Sequence, residues 1–177
     1  MPMRINQKIQ CIIAGLLISL LPACDSKPPS STLPTRSAPA FELKDAMGKV
    51  YSLQDIKEPV IIVHFWASWC PPCIEEIPRW IAAAPALKNV PVKLVAISVD
   101  ESWEKALKVF PVSKLAPNML LLLDPKSEVA GKYGTHQFPE SYLLNRERKI
   151  VDKWIGSQDW TGSMVRFGIA KSLANPQ

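Results

Sequence analysis

The sequence predicts an α/β fold in which a central mixed β-sheet is flanked by helices, with an N-terminal β-hairpin and a short central insertion. The run 60–67, Val-Ile-Ile-Val-His-Phe-Trp-Ala, is apolar and β-branched without polar alternation, which is typical of a strand buried on both faces. Segments of strand and helix character alternate after it, as in α/β proteins. Such a strand belongs in the middle of a sheet.

The elements follow in order from a hairpin at the start of the fold. Residues 40–43 and 49–53 are short strand-like runs, and Gly48 in the turn between them can supply a positive φ. Pro59 precedes the buried strand. The pattern then predicts a helix over 73–87, a strand over 92–99, a helix over 102–110, a strand over 119–123, a short helix over 126–133, a second hairpin over 141–144 and 149–155, and a closing helix over 161–173.

Length and composition indicate one domain with an ordinary core. The chain has 177 residues, of which 47% are apolar and 21% are charged, and these values exclude a disordered chain and a multi-span membrane protein. Without residues 1–23 the net charge falls from +5 to +3, because 19 basic and 16 acidic residues remain. No run of five or more Lys or Arg residues occurs, so nucleic-acid binding is not expected.

The N-terminus has the layout of a bacterial signal peptide. Arg4 and Lys8 form a positive region, and an apolar run, Cys11–Leu21, leads to Ala23 just before Cys24. A spanning helix needs about 20 apolar residues, so an uncleaved anchor is the less favoured alternative. We expect residues 1–23 to be removed.

Residues 21–24, Leu-Pro-Ala-Cys, resemble the cleavage box of bacterial lipoproteins, which implies a lipid on the Cys24 sulfur. Asp25 resembles the signal that keeps enterobacterial lipoproteins at the inner membrane. Residues 26–39 are rich in Ser and Pro and predict a linker of at most about 46 to 50 Å. The expected domains are a signal peptide over 1–23, a lipidated tether over 24–39 and a folded domain over 40–177.

The chemistry centres on Cys70-Pro71-Pro72-Cys73, which follows the central strand and opens a helix. A thiolate is the nucleophile in disulfide exchange, and a helix N-terminus favours its negative charge, so Cys70 is the predicted nucleophile. Cys73, one turn later, is the predicted resolving thiol. Pro71 and Pro72 suit the first helical positions and are expected to tune the redox potential. A zinc half-site and an inert disulfide are the less favoured alternatives.

The segment 65–73, Phe-Trp-Ala-Ser-Trp-Cys-Pro-Pro-Cys, resembles the active site of thioredoxin-like periplasmic thiol:disulfide oxidoreductases, in the TlpA-like branch that includes cytochrome c maturation reductases. The likeness runs from about Pro39 to Leu173 and includes Pro78. It implies a thioredoxin fold and a protein-disulfide reductase without cofactor or metal. It also implies cysteine-containing substrates such as apocytochrome c, a membrane electron donor and a periplasmic location.

The same resemblance implies roles for residues outside the Cys pair. Glu76 matches the acid of a C-x-x-E-x-P pattern that modulates the thiols, and Glu75 should stay on the surface because adjacent helix positions point about 100° apart. Pro139 matches the cis-proline of the thioredoxin fold, and Trp69 and Phe138 are expected to contact substrate. A solvated helix residue is the plain alternative for Glu76.

His64 stands six residues before Cys70, where thioredoxin itself has a buried Asp. An imidazole there could accept a proton from Cys73, because His titrates near neutral pH. A lone His on a strand is more often a satisfied core residue, so both interpretations stay open.

Two rival functions would place different demands on the same residues. A peroxidase-like redoxin would need Thr or Ser three residues before its cysteine, and Ala67 stands there. A copper-delivery or thiol-binding module would use Cys70, Cys73 and His136 as soft ligands. The favoured interpretation is a membrane-tethered dithiol:disulfide oxidoreductase, in which the loss of Cys11 with the signal peptide and the lipid on Cys24 leave only the redox pair as thiols.

Overall fold

Eight strands form one mixed sheet in residues 36–174, which the computed structural model describes. The strand order is β1-β8-β7-β4-β5-β6-β2-β3, with β4, β5 and β6 parallel to one another and the other neighbours antiparallel. The strands are β1 (Arg36–Ser37), β2 (Glu42–Lys44), β3 (Val50–Ser52), β4 (Val60–Trp66), β5 (Val92–Ser98), β6 (Met119–Leu123), β7 (Glu140–Leu144) and β8 (Lys149–Ile155). The prediction of a central mixed sheet is confirmed.

Four α-helices accompany the sheet in this part of the chain. They are α1 (Pro71–Ala86), α2 (Trp103–Val109), α3 (Glu128–Tyr133) and α4 (Ser163–Ala174). Single turns of 3-10 helix lie at Leu53–Asp55 and Val112–Lys114. Within residues 36–174, no helix is long and apolar enough to cross a membrane.

Strand β4 is the centre of the molecule. All seven of its residues are buried, between the parallel strand β5 and the antiparallel strand β7. Burial on both faces explains why its sequence lacks polar alternation, with His64 as the exception. Because the chain leaves β4 at Trp66 and enters α1 at Pro71, the cysteines lie at the carboxyl edge of the central strand.

Helices α1 and α4 cover the same face of the sheet. His64 of β4 stacks on Trp80 of α1, and Gly168 of α4 lies against Leu143 and Trp154 of β7 and β8. A Cβ added at Gly168 would lie 3.1 Å from Leu143 Cδ2, so this glycine permits the close approach of α4 to the sheet. The opposite face carries Phe65, which packs on aromatic rings of α3 and β7.

The structure shifts several predicted boundaries. The sheet begins before residue 40, the predicted start of the domain, because Arg36 and Ser37 pair with β8. Helix α1 begins at Pro71 and not at residue 73, since a proline fits the first turn, where no intrahelical N–H bond is lost. Helices α3 and α4 each begin two residues later than predicted, with Ser127 in the left-handed region at φ 54° before α3.

Candidate active site

Cys70 and Cys73 form a disulfide at the N-terminus of α1. Cys70 is the N-cap residue, with its Cα 5.3 Å from that of Cys73. The backbone N–H of Cys73 donates to Cys70 Sγ at 3.3 Å. After reduction, the same N–H and the positive end of the helix dipole would face a Cys70 thiolate, and both favour the anion.

The two cysteines differ in their exposure. Cys70 is 5% exposed and Cys73 is fully buried, so an incoming sulfur can reach only Cys70 without a movement of the chain. Pro71 and Pro72 occupy the first two helical positions and are exposed beside the disulfide. This asymmetry suits a nucleophile at position 70 and a resolving thiol at position 73.

A buried carboxylate holds the segment that leads into the disulfide. Asp100 is fully buried just after β5. It accepts hydrogen bonds from the backbone N–H of Ser68 at 3.0 and 3.2 Å, from Ser68 Oγ at 2.7 Å and from Ser98 Oγ at 2.7 Å. Ser68 stands two residues before Cys70, so Asp100 fixes the turn that places the nucleophile.

The predicted substrate-contact residues lie side by side. Trp69 is 61% exposed, and its ring meets that of Phe138 edge to face with centroids 5.7 Å apart. The Phe138–Pro139 peptide bond is cis, and the carbonyl of Pro139 accepts a hydrogen bond from Gly156 N–H at 2.9 Å. The Trp69–Phe138 contact therefore places the segment with the cis-proline beside Trp69, the residue before Cys70.

Glu76 lies one turn after Cys73, and its side chain is fully buried, whereas Glu75 is exposed. Its Oε1 accepts two hydrogen bonds of 2.7 Å, from the backbone N–H of Gln158 and from Trp160 Nε1. Its Oε2 has no hydrogen-bond partner among the described residues. Burial raises the pKa of the Glu76 carboxyl above its ordinary value, and the two donors oppose this shift.

His64 is a second buried titratable group on the same face of the sheet. Its ring stacks on Trp80 at 4.7 Å and meets Trp160 edge to face at 5.6 Å. Nδ1 lies 2.8 Å from Ser141 Oγ, and Nε2 lies 3.8 Å from Glu76 Oε2. Burial lowers the pKa of His64 to about 3, so the imidazole is neutral at physiological pH.

The ligand sets of the rival functions do not assemble in the described part of the chain. His136 is exposed, and among residues 36–174 no three His, Cys, Asp or Glu side chains come together as a metal site. Position 67, which a peroxidase would fill with Thr or Ser, holds a buried Ala. The reactive centre that residues 36–174 do contain is the Cys70–Cys73 disulfide.

Sequence reasoning missed several residues around this centre. Asp100 and Ser141 could have been found, because they lie on or just after strands that neighbour β4. Gln158 and Trp160 carry no local motif and reach Glu76 across more than 80 residues of chain.

Glu140 was also missed, although it directly follows Pro139. It is buried, it accepts a hydrogen bond from Tyr142 Oη at 2.7 Å, and its Oε1 lies 2.9 Å from Lys153 Nζ. These contacts fasten the start of β7 to β8 just after the cis peptide bond.

Comparison with known families places the chain among redox proteins. The model of the AhpC/TSA family matches residues 34–153. A thiol-disulfide oxidoreductase ResA from Bacillus thuringiensis is 32% identical over 123 residues, which span 70% of each chain. The ResA protein of Bacillus subtilis is 33% identical over 128 residues, or 72% of this chain and 69% of the relative.

Solved structures agree with this match. A structure from Chlorobium tepidum, assigned to the thiol:disulfide interchange protein DsbE, superposes with a TM-score of 0.69 at 26% identity. The superposition covers 81% of this chain and 99% of the other. The similar sequences and the similar structure thus indicate thiol–disulfide exchange, as does the geometry of Cys70 and Cys73.

Proposed function

The chain belongs to the AhpC/TSA family and is a thiol:disulfide oxidoreductase of thioredoxin fold, and from this premise we propose that it reduces protein disulfides outside the cytoplasm while tethered to a membrane. Enzymes of this kind act on cysteine-containing proteins. Cys70 would attack the substrate disulfide, and Cys73 would then release the reduced substrate by closing the disulfide that the structure contains.

The environment of the sulfurs is the observation that supports the reducing direction. Within residues 36–174, no cationic side chain hydrogen-bonds to Cys70 or Cys73, and His64 is held neutral. Among the described residues, a Cys70 thiolate therefore has the helix N-terminus and one backbone N–H to stabilise it. A less stabilised thiolate disfavours the dithiol form, so the pair reduces its partners more strongly.

The reduction potential of the Cys70–Cys73 pair tests this direction. We expect a value near that of thioredoxin, about −270 mV, when the full chain is equilibrated with dithiothreitol buffers and the free thiols are alkylated. A potential near about −120 mV would contradict the proposal and make the protein an oxidase. The Cys70→Ser variant, which cannot form the pair, gives the alkylation baseline.

The tether is proposed from the N-terminal sequence, because Cys24 lies outside the described residues. The 11 residues 25–35 would separate a lipid on Cys24 from the sheet, which starts at Arg36. Extended, they would reach about 36 to 40 Å. The folded domain would then stay close to the membrane while Cys70 faces its partners, and Asp25 would favour the inner membrane.

Lipid attachment at Cys24 can be measured directly. In bacteria fed labelled palmitate, we expect the wild-type chain to incorporate label and to sediment with membranes. The Cys24→Ser variant should incorporate no label, while the Cys11→Ser variant, which changes another N-terminal cysteine, should behave like the wild type. Label in the Cys24→Ser chain would place the lipid elsewhere and contradict the assignment.

Apocytochrome c is the substrate that we propose, with a membrane protein as the electron donor. The support is the resemblance of residues 65–73 to the cytochrome c maturation branch. The aromatic pair of exposed Trp69 and partly buried Phe138 beside Cys70 suits a substrate that presents an unfolded segment around its cysteines.

A further inference from the structure

Glu76 and His64 form a buried pair. One polar atom of each side chain lies near the other and has no hydrogen-bond partner among the described residues. These atoms, Glu76 Oε2 and His64 Nε2, lie 3.8 Å apart. Both side chains are fully buried. The other polar atoms of the pair are occupied, because Glu76 Oε1 accepts from Gln158 and Trp160, and His64 Nδ1 contacts Ser141 Oγ.

The demands on His64 Nε2 change with the protonation of Glu76. A protonated carboxyl donates a hydrogen bond through Oε2, so it needs an acceptor opposite. A carboxylate only accepts, so it needs a donor there. A buried carboxyl left without the appropriate partner in either state loses hydrogen-bond energy that water cannot replace.

A neutral imidazole can satisfy both states through its tautomers. With the proton on Nδ1, Nε2 is an acceptor, and with the proton on Nε2, that atom is a donor. The change requires Nδ1 to turn from donor to acceptor as well. Ser141 Oγ, 2.8 Å away, can follow, because a hydroxyl accepts from Nδ1–H or donates to bare Nδ1.

We propose that His64 is a positioning residue for the redox reaction that acts through Glu76, switching tautomer together with the protonation state of that carboxyl while staying uncharged. When the side chains close the 3.8 Å between Glu76 Oε2 and His64 Nε2 to hydrogen-bond distance, protonated Glu76 donates to Nε2, and ionised Glu76 accepts from Nε2–H. The Ser141 hydroxyl reverses its direction in step. The inference rests on the established oxidoreductase chemistry and needs neither the reducing direction nor the tether.

Helix α1 places one charged side chain near the pair, and the loop before α4 presents only uncharged donors to it. On α1 the titratable or charged neighbours are Cys73, which is buried one turn away, and Arg79, which favours the carboxylate form of Glu76. The loop before α4 offers only the uncharged donors Gln158 and Trp160 to the carboxyl.

The strands that flank β4 place no ionisable residue opposite His64. Position 64 is paired in the sheet with Ala96 of β5 and with Ser141 of β7, and neither is ionisable. The nearby acid Asp159 is turned toward Thr161, from which its Oδ1 accepts two hydrogen bonds. A charged imidazolium would therefore find only Glu76 as a counter-ion.

The switch bears on the second step of disulfide exchange. The Cys73 thiol must lose its proton before its sulfur attacks Cys70 Sγ, forming the Cys70–Cys73 bond and breaking the bond between Cys70 and the substrate sulfur, which leaves as a thiolate. An ionised Glu76 on the same buried face can hold that proton. By partnering Glu76 in both states, His64 keeps the carboxyl able to take up and release it within a dry core.

Nitrogen NMR on the full chain, labelled at histidine, tests the switch directly. We expect the His64 Nδ1–H tautomer at low pH and the Nε2–H tautomer at high pH. The midpoint of this change should equal the midpoint of the Glu76 titration, followed by the chemical shift of its carboxyl carbon. A single tautomer throughout the Glu76 titration would overturn the proposal, as would an imidazolium at neutral pH. The tautomer measurement does not depend on enzyme activity. It therefore tests the role of His64 even if the protein proves to be an oxidase rather than a reductase.

A variant tests the functional consequence. His64→Phe keeps an aromatic ring stacked on Trp80, but it removes the ring nitrogen that would accept from protonated Glu76 or donate to ionised Glu76. Because ionised Glu76 then loses the stronger, charge-assisted bond, its titration midpoint and the midpoint of the pH profile for thiol exchange should both move up by about one pH unit. A purely structural role would lower the yield or stability without moving either midpoint.

Tyr133→Phe is the matched control. It removes one buried polar group, an Oη without a hydrogen-bond partner in residues 36–174, on the opposite face of the sheet. We expect both midpoints to stay at their wild-type values. An unchanged midpoint in folded His64→Phe protein would contradict the proposal.

Discussion

Replacing Cys73 by serine should stop turnover and leave the protein joined to its substrate through a disulfide at Cys70. Cys70 is reachable, so the first exchange can proceed, but without the Cys73 thiol no resolving sulfur is left to attack the mixed disulfide in the second exchange. We expect multiple-turnover reduction to fall by about three orders of magnitude or more, because the covalent route is interrupted. Non-reducing electrophoresis and mass spectrometry would show the adduct and identify the trapped partner.

The Cys70→Ser variant is the matched control for this experiment. It removes the same disulfide but leaves only the buried sulfur, so we expect an equal loss of turnover without an adduct. The opposite pattern, in which Cys70→Ser traps substrate and Cys73→Ser does not, would exchange the two assigned roles. Recovery of an apocytochrome c in the Cys73→Ser adduct would support the proposed substrate.

Acidification should destabilise the fold through His64. The folded-state pKa of about 3 lies below the ordinary value of 6.5, so the unfolded chain binds the proton first as the pH falls. The stabilisation that results from a neutral, buried His64 is complete above pH 6.5 and is lost as the pH falls through about 3. The pKa difference corresponds to about 5 kcal/mol of unfolding free energy.

Glu76 acts in the opposite sense over part of this range. Burial raises its folded-state pKa, so its contribution is most favourable at low pH and is lost as the pH rises through the folded value. We therefore expect the net acid-induced loss in the wild type to be smaller than the His64 contribution alone. A comparison of variants isolates that contribution.

Urea unfolding of the oxidised protein at pH 7, 5 and 3.5, followed by circular dichroism, provides the measurement. His64→Phe has no proton to gain at position 64, so its stability relative to the wild type should improve by several kcal/mol between pH 7 and pH 3.5. A constant difference between the two proteins across this range would contradict the assignment. Tyr133→Phe should keep a constant difference, because no group at position 133 titrates in acid.

Local sequence signals account for the centre of the fold. The β4 strand was predictable because a continuous apolar, β-branched run has few alternatives to a doubly buried strand. The cysteines were predictable because their spacing coincides with the strand-to-helix turn. The resemblance to the C-x-x-E-x-P pattern singled out Glu76, and helix geometry added that its neighbour Glu75 cannot face inward as well.

Long-range partners account for what the sequence could not predict. The side chain of Trp160 meets Glu76 through a contact that spans 84 residues, and no periodicity or motif marks it. His64 could be placed on a buried strand, but its neighbours Ser141 and Trp80 depend on strand pairing and helix packing. The predictions for Cys24 and Asp25 lie outside the described residues and stay predictions.

The short strand β1 was hidden for a different reason. Arg36 and Ser37 are both exposed, so they carry no hydrophobic pattern, and their Ser- and Pro-rich context is typical of a linker. Their place in the sheet comes from backbone pairing with β8, which any sequence without a proline at those positions could make.

That pairing has a mechanical consequence for a chain anchored at Cys24, as proposed. A pull from the membrane would reach β1 first, and this strand holds to β8 over only two residues, with the Ala38–Arg148 backbone bond and the Arg36 contact to the Tyr133 carbonyl beside it. Detachment of residues 36–39 would lengthen the extended tether by about 13 Å before the force acted on Phe41, a core residue. In such an anchored chain, the edge of the sheet would unpair before the force reached the redox centre.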